Sequence, residues 1–84
     1  MNSADIDLPN AILTLLAQRR AGASICPSEV ARQVGGADWR SWMEPVRQAG
    51  RQLAQEGRLR VTQKDATLDP TKPWHGAIRF RLPD

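Results

Sequence analysis

Apolar side chains recur at a helical period through the first two thirds of the chain and alternate with polar ones near its end. Leu8, Ile12, Leu15 and Leu16 fall on one side of a helix, which predicts a first helix over roughly 8–20. Asp7 or Asn10 suits its N-cap and Pro9 its opening turn. Arg19 and Arg20 suit the negative end of its dipole, and Gly22 is the natural stop. Pro27 at a first helical position, Glu29 in the first turn and the stripe Val30, Ala31, Val34 predict a second helix over about 27–34, ended by Gly35-Gly36. Asp38 caps a single turn over 39–43, and Pro45, which cannot continue a helix already under way, opens a third helix running to Glu56 before Gly57.

Beyond Gly57 the period changes to two. Leu59 and Val61 alternate with Arg58, Arg60 and Thr62, and later Ile78, Phe80 and Leu82 alternate with Arg79 and Arg81. These are two half-buried antiparallel strands joined by a loop of roughly 64–76, with Ile25 placed to add a short third strand. The order predicts an α+β fold, a winged helix-turn-helix with three helices followed by a two- to three-stranded antiparallel β-hairpin wing. One domain fills 1–84, with residues 1–7 as a flexible N-terminal tail.

Composition narrows the function classes. Eighty-four residues and 9.3 kDa hold one domain and not two, and 40% apolar with 25% charged residues is a globular balance. A single cysteine excludes an internal disulfide framework and a cysteine-rich zinc site. The opening is acidic and lacks an apolar leader, and no apolar run approaches the ~20 residues of a membrane span, so the expectation is a cytoplasmic protein with no membrane partner. Net charge is +3 and unevenly placed: residues 1–39 carry three cations and four acids, residues 40–84 nine cations and five acids. Ten of the twelve cations are arginine, the residue that grips phosphate with two hydrogen bonds at once. That footprint points to an anionic partner, with nucleic acid first in line.

The run Pro27-Ser28-Glu29-Val30-Ala31-Arg32, Trp39-Arg40 with Met43, Val46-Arg47, Leu53, Gly57, Gln63-Lys64 and the closing Gly76-Ala77-Ile78-Arg79 together resemble an uncharacterised bacterial family, the domain of unknown function 3253. The likeness covers about residues 10–82. Asp65 stands where that pattern has glycine after Gln-Lys, and Ala77 where it has proline before Ile-Arg. The resemblance implies a winged-helix fold and brings no established activity, so it transfers no functional residue.

On a helical wheel Ala49, Gly50 and Leu53 lie within about 60° of Val46, while Gln48, Arg51 and Gln55 lie opposite and Arg47 and Gln52 flank them. Arginine and glutamine are the side chains that pair guanine and adenine through two hydrogen bonds, and the third helix is the one such folds place in a major groove. The plain alternative is a solvated helix face, with Arg47 a structural partner of Glu29. Arg58, Arg60, Arg79 and Arg81 share one strand parity and form a basic outward face suited to phosphates, unless that face packs on Asp5 and Asp7. Lys64, Lys72, Trp74 and His75 occupy the loop, where the indole either stacks on a base or folds back over a small core.

No nucleophile elbow, phosphate loop or paired carboxylates are visible, and one histidine makes no zinc site, so the sequence predicts no enzyme, no cofactor and no metal. The leading expectation is a DNA-binding domain contacting double-stranded DNA, a small transcriptional regulator with its third helix in the major groove and its basic wing on phosphates. The alternative is a protein-interaction or adaptor module that binds no nucleic acid.

Overall fold

The computed structural model describes residues 6–83. Helix α1 spans Leu8–Ala17, strand β1 Ser24–Ile25 and helix α2 Pro27–Gly35; a 3-10 segment, Gly36–Trp42, then leads into helix α3, Met43–Gln55. Three strands follow: β2 at Arg60–Gln63, β3 at Ala66–Thr67 and β4 at Arg79–Arg81. The α+β class stands, but the expected three helices plus a two- to three-stranded wing does not. The sheet has four antiparallel strands in the order β1-β4-β2-β3, so the last strand lies inside it between the first and the second.

The boundaries moved for local reasons. Asp7 caps α1 by accepting the Asn10 amide at 3.1 Å, yet the helix stops at Ala17, which leaves Arg19 and Arg20 beyond its last turn. The segment expected as one turn over 39–43 is a 3-10 stretch kinked at Asp38, and α3 begins two residues before Pro45. Proline is tolerated there because amides of a first helical turn have no carbonyl to reach. Gly57 ends α3 as expected, and the Arg58 amide then donates back to the Leu53 carbonyl at 2.9 Å.

The expected 64–76 loop is partly a hairpin. Gln63 and Ala66 are partners across a two-residue turn, Lys64-Asp65, in which Lys64 takes a φ of 55°. Left-handed backbone is normally left to glycine or asparagine, so the turn carried no sequence signature. The inner strands register as Arg60↔Arg81, Val61↔Phe80 and Thr62↔Arg79, and β1 adds Ser24↔Arg81 and Ile25↔Phe80. Ile25, Val61 and Phe80 therefore point together into the core, and the residues between them point out.

The core joins that inner face to all three α-helices: Ile12 and Leu16 from α1, Val30 and Ala31 from α2, Val46 and Leu53 from α3, with Leu59 and Ile78 beside the strands. Gly50 faces the ring of Phe80 so closely that a Cβ there would overlap it, which lets α3 lie directly on the sheet. Leu82, expected to alternate inward, is exposed beyond the end of β4.

Candidate functional site

The outer side of α3 is not open. The chain between β3 and β4 returns across it, and three of the expected readout residues hold that return in place. Arg51 donates from Nη1 to the Pro70 carbonyl at 2.6 Å and to the Lys72 carbonyl at 2.8 Å, and its guanidinium lies 4.0 Å from the Trp74 ring centre. Arg47 reaches the carbonyls of Trp74 and Gly76, each at 3.3 Å, and Gln55 reaches Pro70 at 3.3 Å. Glu29 is therefore not the partner of Arg47; it pairs with Arg19 at 2.9 Å. From β2, Gln63 donates to the carbonyls of His75 and Ala77. The returning segment is also braced internally: the Trp74 indole donates to the Asp69 carbonyl at 3.0 Å, and the Thr71 hydroxyl and amide both donate to the Asp69 carboxylate, holding it below its ordinary pKa. Trp74 thus folds back as a half-buried cover over the core, with Lys72 and His75 exposed beside it.

The remaining exposed strip of α3 is poor in positive charge. Gln48 donates to Glu44 at 2.9 Å and Gln52 to Glu56 at 3.3 Å. Two acids and two glutamines that already hydrogen-bond to them are a weak match to a phosphate-walled groove.

Positive charge gathers instead on the outward face of the sheet. Arg60 and Arg81 are directly opposed across β2 and β4, and Arg79 follows two residues before Arg81 on the same side. Arg79 bridges to β1, its Nε donating to the Ser24 hydroxyl at 2.6 Å and its Nη2 to the Ser24 carbonyl at 3.1 Å. Arg60 donates to the Thr67 hydroxyl at 2.8 Å. The Nε of Arg81 is buried with no hydrogen-bond partner among the described residues. Arg58, expected on this face, lies before β2 and pairs with Glu56 at 3.6 Å. Asp5, the acid expected to cover the face, lies outside the described residues, and Asp7 is occupied in capping α1.

At the hairpin end the same face opens into a concavity of about 520 Å³, with Lys64 and Arg79 at its sides and Cys26, Thr62 and Ile78 among its walls. Cys26 is the N-cap of α2; its amide donates to Glu29 Oε2 at 2.7 Å and its sulfur accepts the Ser28 hydroxyl at 3.2 Å. That amide is the main reason the Glu29 carboxyl sits below its ordinary pKa, with Arg19 and the nearby charge of Arg79 adding to it.

Sequence reasoning passed over one constellation. The guanidiniums of Arg32 and Arg40 both stack on Trp39, at 4.1 and 4.5 Å from its ring centre. By its sequence Trp39 reads as a core or core-edge residue; the available signal is Arg40 beside it and Arg32 in the last turn of α2.

Among the described residues, no helix is long and apolar enough to cross a membrane. No curated protein matches the chain. A family model does match, over residues 5–83, nearly the whole length, and with that span the chain belongs to the family described as protein of unknown function, DUF3253.

Proposed function

We propose that this domain binds double-stranded DNA through the outward face of its sheet, with Arg60, Arg79, Arg81 and Lys64 contacting phosphates. The observation that carries the reading is Arg81. It is opposed to Arg60 across two strands, and its Nε is buried with no partner among the described residues. Like charges directly opposed in a sheet are unfavourable, and a buried donor left unmade costs about 1–3 kcal/mol. A phosphate on this face offsets the repulsion, and it reaches the buried Nε only when the Arg81 side chain turns outward to meet it. Residues two apart on a strand are about 6.7 Å apart, close to two phosphate steps of a B-form strand measured along its axis.

In this mode the contacts fall on the backbone and carry no sequence code of their own. The α3 side chains Arg47, Arg51 and Gln55 hold the returning segment, so they are scaffold here, not base readers. Titrating labelled duplexes of unrelated sequence across a range of salt tests the proposal. The expected result is similar affinity for each duplex, falling log-linearly with salt at roughly 0.9 per phosphate contact. Binding that ignores salt, or no duplex binding beside capture of an acidic protein, would favour the adaptor alternative and end this reading.

A further inference from the structure

We propose that Arg32 and Arg40, set on Trp39, form a phosphate-binding site separate from the sheet face. Both guanidiniums stack on one indole, at 4.1 and 4.5 Å from its centre, so their carbons can lie no farther apart than those two distances combined. Stacking engages the flat face of a guanidinium and leaves its N–H edge available. Among the described residues neither arginine has an ion-pair partner or a side-chain hydrogen bond. The acid next in sequence, Asp38, accepts the Ser41 hydroxyl at 2.8 Å and pairs with neither. Both side chains are exposed, while Trp39 packs half-buried against the core.

The platform is fixed by its neighbours. Arg32 comes from α2 and Arg40 from the 3-10 segment, and Trp42 seats that segment so tightly on Gly35 that a Cβ there would overlap the indole. Two positive groups are thereby held near each other by a ring and not by a carboxylate. A bidentate carboxylate is satisfied by one guanidinium fork, whereas a phosphate has oxygens enough to accept from two forks at once. Phosphate is thus the ligand chemistry that fits, as the free anion or as the diester of a nucleic-acid backbone.

The test is a titration of the isotope-labelled domain with inorganic phosphate at constant ionic strength, chloride being the reference anion. The signals read are the Trp39 indole N–H and the Arg32 and Arg40 Nε–H. A saturable shift centred on these three is expected, with affinity weakened about tenfold in R32Q/R40Q, which corresponds to about 1.4 kcal/mol. If that double variant does not fold, Arg40→Gln alone provides the comparison. A short duplex producing the same shifts identifies the diester as a source; shifts with inorganic phosphate only identify the free anion. An R79Q/R81Q variant should show the same phosphate shifts, so failure of the sheet-face reading leaves this one standing. Absence of saturable shifts with both probes, or shifts that chloride reproduces, overturns the site.

Discussion

The guanidinium carbon of Arg51 lies over Trp74, 4.0 Å from the ring centre, while the same guanidinium donates to the carbonyls of Pro70 and Lys72. One side chain of α3 thus supports both the cover over the core and the backbone that carries it. Removing it is a stability change before it is a binding change. Arg51→Ala should cost about 1–3 kcal/mol, from two charge-assisted hydrogen bonds and one ring contact in a half-buried setting. Urea denaturation measures the loss. Amide exchange should accelerate through residues 68–76 and stay slow in α1; a uniform acceleration would mean the contact braces the whole domain.

Gly50 should tolerate no side chain. A Cβ would overlap the Phe80 ring, which the core holds on every side, so Gly50→Ala should destabilise by about 1–3 kcal/mol. Thermal unfolding of Gly50→Ala beside the parent checks this, and an unchanged melting temperature would refute the packing assigned to α3.

Glu29 links stability to acid. Its carboxyl is held below the ordinary glutamate value first by the Cys26 amide and then by Arg19. The unfolded chain takes up the proton at a higher pH than the folded one. Its contribution is therefore complete above the ordinary value and is lost as pH falls through the lowered folded one. Urea midpoints measured from neutral to acid pH should fall less steeply in Glu29→Gln than in the parent. Parallel curves would show that the α2 cap does not titrate as described.

The core and the start of α1 were legible in the sequence because the one rests on periodicity and the other on a local cap. Ile12, Leu16, Val30, Val46, Leu53, Val61 and Phe80 lie buried where the 3.6 and 2.0 periods put them. The turn at Lys64-Asp65 was not legible, since its left-handed residue is a lysine and its second strand has only two residues. The cover over α3 was hidden for a different reason. Arg47 and Arg51 bond carbonyls 19 to 29 positions away, and contacts at such separation leave no mark on a local pattern. The same residues that suggest a groove-reading helix by type and spacing are the ones consumed by that contact.

Arg79 links strands as well as carrying charge. Replacing it with Gln removes both bonds to Ser24 and should cost about 1–3 kcal/mol, two hydrogen bonds at about 0.5–1.5 kcal/mol each. Arg81→Gln, which loses an Nε with no partner among the described residues, should be neutral or stabilising. Chemical denaturation of the two single variants decides this, and a larger loss at Arg81 than at Arg79 would contradict the partners assigned here.

The central claim is that duplex DNA meets the sheet face and not α3, and the salt dependence of duplex binding tests it most directly. Arg79→Gln/Arg81→Gln should flatten the slope of log affinity against log salt by roughly two units and weaken all sequences about equally. Gln48→Ala/Gln52→Ala, on the exposed strip of α3, should leave slope and affinity unchanged. A folded Arg79→Gln/Arg81→Gln variant that keeps the parent slope, beside a Gln48→Ala/Gln52→Ala variant that loses binding, would contradict the account.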